Sequence, residues 1–215
     1  MNFDQARFLM VEQQIRPWDI LDQKVLDQFL ETPRHEFVDD ANRALAYTDI
    51  ELPIGHGEVM MAPKIEAKLL QAVDIDDSDT VLEIGTGSGF LTALMAKLGK
   101  SVTTVEIHED LQAIAKERLK EFDNIEFYIG DGSEDWADSK QYDVIVLTGS
   151  VAEIPQAYKE KLNLGGRLAV ICGQSPAMTA EVLTRISEGE WETEPLFETD
   201  LKPLVNAEAK AQFSL

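Results

Sequence analysis

Val81-Leu82-Glu83-Ile84-Gly85-Thr86-Gly87-Ser88-Gly89 is the stretch that decides the fold. A short, mostly apolar run ends in three glycines at alternate positions, and Phe90 through Leu98 follow at once. Within that continuation Leu91, Leu94, Met95 and Leu98 fall on one face of a helix. A strand that turns through glycines into a helix opens an α/β unit. The glycines serve a tight turn and let the backbone come close to a ligand. The dinucleotide fingerprint G-x-G-x-x-G is not met, because the third glycine comes one position early and Phe90 stands in its place. This spacing disfavours a nicotinamide-dependent oxidoreductase.

Outward from that unit the alternation continues. Strands are expected near 79–84, 101–107, 125–130, 142–148 and 166–172, and helices over 64–73, 89–98, 109–121 and 152–163. Strands joined by crossover helices make a parallel sheet covered on both faces, so the expected class is α/β, doubly wound and Rossmann-like. The tail adds two antiparallel candidates near 191–199 and 210–214. Upstream, Phe8, Val11 and Ile15 give a helix over 4–15 that stops at Arg16-Pro17. Asp22 is the expected N-cap of a second helix running through Val25, Leu26, Phe29 and Leu30 to Thr32-Pro33. Residues 34–63 keep no period and read as extended chain and loops. The expected division is therefore 1–63, a helical and substrate-loop extension packed on the core, and 64–215, the Rossmann-like domain.

Composition narrows the partners. A chain of 215 residues can bury a core without a disulfide or a structural metal. Its single cysteine, Cys172, forms no intramolecular disulfide, which suits a reducing, cytoplasmic setting. No Cys/His cluster has metal-ligand spacing, so no metal is expected. The first residues lack a basic and apolar secretory signal, and no apolar run is long enough to span a bilayer. A net charge of -21 with no basic cluster opposes a phosphate-backbone partner. The expected protein is soluble, without nucleic-acid or membrane partners, and the sequence leaves its oligomeric state open.

The G-x-G-x-G form resembles the first motif of S-adenosylmethionine-dependent methyltransferases. Three acids stand at matching strand ends: Glu83 two residues before the first glycine, Glu106 after the second strand, and Asp131 in Ile129-Gly130-Asp131-Gly132. A longer, ordered resemblance runs through Met10 to Ile15, Pro33 to Val38, Ala44 to Tyr47, Leu52 to Gly55, Ala62-Pro63, Val81 to Ala96, Gly130 to Gly132, Tyr142 to Ile145 and Leu162 to Leu168. Over nearly its whole length the chain resembles the protein-L-isoaspartate O-methyltransferase family. The resemblance implies S-adenosylmethionine as cofactor, methyl esterification of isoaspartyl residues in damaged proteins, and a protein or peptide substrate carrying isoaspartate. It implies a cofactor site of Glu83, Gly85, Thr86, Gly87, Ser88, Gly89, Glu106, Ile107, Asp131 and Gly132. In it Glu83 holds the ammonium of the methionine moiety, Glu106 the ribose hydroxyls and Asp131 the adenine amino group.

The resemblance also marks a departure. The family's substrate loop reads roughly Gly-x-x-Gln-Thr-Ile-Ser-x-Pro, with the Thr and Ser hydroxyls facing cofactor and substrate. Here it reads Gly55-His56-Gly57-Glu58-Val59-Met60-Met61-Ala62-Pro63. At the two positions the family marks as catalytic, Val59 stands for the Thr and Met61 for the Ser, so two hydroxyl donors are gone. Glu58 adds a negative charge where the family has a neutral Gln. Two other readings stay open: a methyltransferase acting on another, small acceptor, with Met60 and Met61 lining a more apolar pocket, and a module that binds S-adenosylmethionine without catalysis. His56 reads as an exposed loop histidine, Trp18 and Trp136 as packing residues, and Cys172 as a small buried hydrophobe.

Overall fold

The computed structural model describes residues 2–207. Asn2 caps α1 (Phe3–Met10), its side chain accepting a hydrogen bond from the Gln5 N–H at 3.1 Å. The chain then widens into a π turn over Val11–Ile15 and tightens into a 3-10 turn at Arg16–Trp18, where Pro17 ends the helical run. Met10, Val11 and Ile15 are fully buried, whereas Phe8 is exposed, which corrects the expected stripe. Phe8 lies two residues from both Ala6 and Met10, about 200° around the helix, so it faces away from the side they bury. Asp22 caps α2 (Gln23–Glu31) through the Lys24 N–H at 2.8 Å, and Val25, Leu26 and Phe29 are buried as expected.

Residues 34–63 carry more order than their pattern suggests. Two 3-10 turns lead into an antiparallel hairpin of β1 (Leu52–Gly55) and β2 (Glu58–Met60). Pro63 opens α3 (Pro63–Val73), where its missing N–H costs nothing. The main sheet then builds as β3 (Thr80–Ile84), α4 (Phe90–Leu98), β4 (Ser101–Glu106), α5 (Glu109–Arg118), β5 (Ile125–Ile129), β6 (Tyr142–Leu147), α6 (Gln156–Lys161) and β7 (Leu162–Gln174). Two further strands, β8 (Ala177–Ser187) and β9 (Glu190–Thr199), return antiparallel. The order across the sheet is β5-β4-β3-β6-β7-β8-β9, with the first five strands parallel.

Three expectations are corrected here. The helix expected over 152–163 shrinks to Gln156–Lys161, because Pro155 precedes it and Leu162 already pairs with Tyr142. The last parallel strand is longer than 166–172, since it twists on into a hairpin with β8. β8 itself was not foreseen; it alternates Met178, Ala180 and Val182 inward with Thr179 and Glu181 between them. The strand expected near 210–214 lies outside the described residues.

Strand parity sorts the core. Val81, Val102, Val144, Val146 and Ala169 face one apolar cluster, shared with Val11, Ile15, Phe29, Leu69, Leu70 and Leu94. Leu82, Ile84, Val105, Ile145, Leu147 and Leu168 face the other, shared with Tyr158. Glu83 has the parity of Val81, so this carboxyl points into the larger cluster. The strand order reverses between β3 and β6, which opens a crevice at their carboxyl ends. Among the described residues no helix is long and apolar enough to cross a membrane.

Candidate active site

The crevice is floored by the glycine loop between β3 and α4. Gly85 has φ +97°, and a Cβ there would lie 2.1 Å from Thr148 Oγ1. That hydroxyl is committed, donating to the Ile84 and Gly85 carbonyls at 2.9 and 2.8 Å. Only glycine fits. Gly89 serves packing instead of the crevice: a Cβ there would meet Leu119 at 3.0 Å and Ala115 at 3.2 Å, so its bareness lets α4 lie close to α5.

Gly85, Gly87, Glu106, Ile107, Asp131 and Gly132 line one open cleft, together with Glu58 and Val59 of the hairpin and residues 201–205. Glu106 ties the loop to β4: its carboxylate accepts from the Gly87 N–H at 2.8 Å and the His108 N–H at 3.0 Å. Each oxygen keeps a further lone pair for hydroxyl donors. Asp131 accepts from the Ser133 N–H at 2.9 Å and the Asn206 amide at 2.8 Å. Burial pushes its pKa up, but these hydrogen bonds outweigh it and hold the group below its ordinary value.

Beside this cleft Glu83, Thr86, Ser88, Val59, Met60, Met61 and Glu66 line a smaller chamber. Glu83 is fully buried; its Oε2 accepts from Thr92 Oγ1 and Thr104 Oγ1, both at 2.6 Å, and its Oε1 has no partner. Burial lifts the Glu83 pKa to about 8; the two threonine hydroxyls pull it back only in part. Thr86 Oγ1 lies 2.6 Å from Thr104 Oγ1 and extends the same network. A buried acid with an unpaired oxygen is costly, and a cation placed against it would remove that cost. S-adenosylmethionine brings such a cation in its ammonium, and the Gly85 turn leaves backbone room beside it. The residues fit the cofactor.

The substrate loop is held from below. Arg34, wholly buried, pairs with Glu66 and donates to the Met61 carbonyl at 2.5 Å. Burial pushes the Glu66 pKa up to about 7 against the pull of Arg34. Met60 and Met61 are each 4% exposed. Gly55, His56, Gly57, Ala62 and Pro63 line neither cavity, and Ala62 and Pro63 instead start α3. His56 is partly exposed, hydrogen-bonded to Asp110 at 2.9 Å and stacked on His108 at 4.1 Å. Trp18, expected to pack, is 42% exposed with the Lys64 ammonium 4.3 Å from its ring centre. Trp136 does pack, on Tyr128 and Gly130. Cys172 is half-buried, and burial lifts its thiol to about 12, which suppresses the reactive thiolate.

Several contributors escaped the sequence reading: Thr92 and Thr104 on Glu83, Thr148 under Gly85, the Arg34–Glu66 pair, and the segment Leu201 to Val205. For the threonines no local signal existed, since Thr104 meets Glu83 only through the parallel register of β3 with β4 and Thr92 only through the packing of α4. The 201–205 segment has no periodicity to betray it.

Known proteins resemble the chain over nearly its whole length. The family model Protein-L-isoaspartate(D-aspartate) O-methyltransferase matches residues 6–209. A protein-L-isoaspartate O-methyltransferase of Petrotoga mobilis is 34% identical over 197 residues, covering 90% of this chain and 92% of its own. One from Koribacter versatilis is 37% identical over 204 residues, covering 94% and 90%. Among solved structures, a Plasmodium falciparum chain described as a protein-L-isoaspartate O-methyltransferase in complex with S-adenosyl-L-homocysteine superposes with a TM-score of 0.77. At 20% identity, over 95% of this chain and 98% of that one, it bears on the fold. With the family model spanning nearly the whole sequence and relatives above 30% identity over nine-tenths of it, the chain belongs to the protein-L-isoaspartate(D-aspartate) O-methyltransferase family.

Proposed function

We propose that the protein is an S-adenosylmethionine-dependent O-methyltransferase that esterifies the side-chain carboxylate of isoaspartyl residues in proteins or peptides. One observation carries the reading: a buried glutamate with an unpaired oxygen, Glu83, at the foot of a glycine-lined crevice whose next two strands also end in acids. Glu83 takes the ammonium of the cofactor, Glu106 its ribose hydroxyls and Asp131 its adenine amino group. Gly85, Thr86, Gly87, Ser88, Ile107 and Gly132 shape the walls. Residues 64–215 act as the cofactor domain, and 1–63 supply the substrate loop over it. The protein works in the cytoplasm, where its lone cysteine stays reduced.

Bound cofactor supplies an activated methyl group on a sulfonium. The acceptor carboxylate, with an ordinary pKa of about 4, is ionised at neutral pH and needs no general base. Held by Glu83, Glu106 and Asp131, the cofactor would give that methyl to a carboxylate oxygen and would keep the electron pair of the broken carbon–sulfur bond on sulfur as a neutral thioether. The protein's part is to bring the two reactants within roughly 3–3.5 Å and to keep water out. Val59, Met60 and Met61 form the apolar side of that enclosure. Their lack of hydroxyls favours a second reading, the same transfer to a different small acceptor. Labelled S-adenosylmethionine with an isoaspartyl peptide tests the first: label must appear on the peptide and leave it as methanol under mild base. Base-stable label, or none in a sample that binds S-adenosylhomocysteine, refutes it.

A further inference from the structure

The proposed transfer needs a group that receives an anionic acceptor, and Val59 and Met61 offer no donor. The field opposes the acceptor, because the net charge is -21 and Glu58, Glu106 and Asp131 all line the cofactor cleft. Lys202 is the one Lys or Arg side chain among the described residues lining that cleft. It also lines an adjoining cavity bordered by Val151, Gly173, Met178 and Asp200, where again no other Lys or Arg takes part. The two spaces meet at Leu201-Lys202-Pro203.

The backbone around Lys202 is fixed. Ser150 N–H donates to the Lys202 carbonyl at 3.0 Å, its hydroxyl to the Leu201 carbonyl at 2.7 Å, and its own carbonyl accepts from the Leu204 N–H at 3.0 Å. The side chain is held less firmly. Its Nζ donates to the Gly57 carbonyl at 2.9 Å and to Glu58 Oε1 at 2.5 Å, with 40% of the side chain exposed. Such a pair exchanges readily with another carboxylate. Of the other basic side chains near the loop, Arg34 is sealed under Met61 with Glu66 and His56 is bonded to Asp110, while His108, which also lines the cleft, has its Nε2 buried 4.0 Å from the same Glu58 oxygen.

We propose that Lys202 is the acceptor-binding cation: its ammonium turns from Glu58 to the acceptor's carboxylate and holds it at the mouth of the cofactor cleft. Glu58 then acts as a resident competitor for the same ammonium. The inference rests on the proposed carboxylate acceptor and gives it a recognition element outside the loop. A point charge of this kind selects carboxylates over neutral acceptors of equal size.

The test is binding of an isoaspartyl peptide to the S-adenosylhomocysteine complex by calorimetry, with steady-state transfer measured alongside. Lys202→Gln weakens peptide binding about tenfold or more and raises KM more than it lowers kcat, whereas Lys202→Arg stays close to wild type. Glu58→Gln moves the other way and tightens the peptide. Affinity for S-adenosylhomocysteine serves as the folding control in each variant. If Lys202 only straps the loop, Lys202→Gln and Glu58→Gln shift peptide binding in the same direction, which overturns the proposal. Transfer that persists with peptide binding independent of Lys202 removes the inference and leaves the methyltransferase reading intact. Lys202-dependent binding without transfer does the reverse, and a wild type that neither binds nor methylates the peptide overturns both.

Discussion

Replacing Glu83 by Gln separates what this residue costs the fold from what it does for the cofactor. The carboxyl is fully buried, its Oε1 is unpaired, and burial lifts its pKa from an ordinary 4.5 to about 8. In the unfolded chain it ionises near the lower value. Between the two, the folded protein holds a proton that the unfolded chain has lost, so stability falls by about 1.4 kcal/mol per pH unit as pH rises. The penalty is absent below pH 4.5, reaches about 3 kcal/mol at pH 7 and levels off near 5 kcal/mol above pH 8. Gln stays neutral, and its carbonyl can still accept from Thr92 and Thr104. The variant should therefore be more stable than wild type, by a margin that grows from pH 5 to pH 8 and is flat beyond. Urea unfolding at pH 5, 7 and 9 reads that margin. Binding should change in the opposite sense. The Gln amide presents N–H groups toward the cofactor ammonium, and losing a buried charge pair weakens S-adenosylhomocysteine about 100-fold or more. In wild type the carboxyl must ionise to receive the cation, so binding at pH 7 releases a proton from this residue that the Gln variant cannot release. Calorimetry in two buffers of different ionisation enthalpy measures it. A variant no more stable at pH 9 than wild type, with unchanged affinity and proton release, would refute the reasoning.

Other outcomes follow from neighbouring residues. Arg34→Met leaves Glu66 buried without its partner and frees the Met61 carbonyl; stability should fall by about 3–5 kcal/mol in urea, and by less when Glu66→Leu accompanies it. Gly85→Ala sets a methyl 2.1 Å from Thr148 Oγ1 at φ +97°; the melting temperature should drop and S-adenosylhomocysteine binding be lost. Adding Thr148→Ala recovers only part of the stability, because backbone strain of about 1–2 kcal/mol remains. Val59→Thr with Met61→Ser restores two hydroxyls to the loop, and kcat/KM for an isoaspartyl peptide should rise. Emptying the space of Met61, 4% exposed, should cost about 2–3 kcal/mol in the same unfolding assay.

The parts of the fold that could be read in advance are those with a local cause. Gly85 through Gly89, the helix stripe from Leu91 to Leu98 and the strand-end positions of Glu106 and Asp131 depend on turn chemistry and period, which neighbours along the chain determine. The rest depends on contacts between distant segments. Glu83 reads as an acid in an apolar strand, but its burial follows from the parity it shares with Val81 and from Thr104 lying opposite it. Arg34 looks like a surface residue until Glu66 and the Met61 carbonyl close around it. Residues 201–205 line the cleft because Ser150 fixes their backbone, and no pattern within the segment announces it. The alternation of β8 is present but weakly marked, since Ala177, Ala180 and Glu181 are residue types that strands disfavour. Phe8 has the apolar character of a core residue yet stays exposed, because the side of α1 facing the core carries the smaller Ala6 and the long Met10.

The most direct measurement is the ratio of kcat/KM for two peptides of one sequence, one with an isoaspartyl linkage and one with an ordinary aspartyl linkage, using labelled S-adenosylmethionine. The cofactor crevice formed by Glu83, Glu106 and Asp131, with an acceptor carboxylate held at its mouth, predicts base-labile methyl ester on the isoaspartyl peptide and essentially none on its twin. Equal transfer to both, or none to either from protein that binds S-adenosylhomocysteine, would contradict repair methylation at this site.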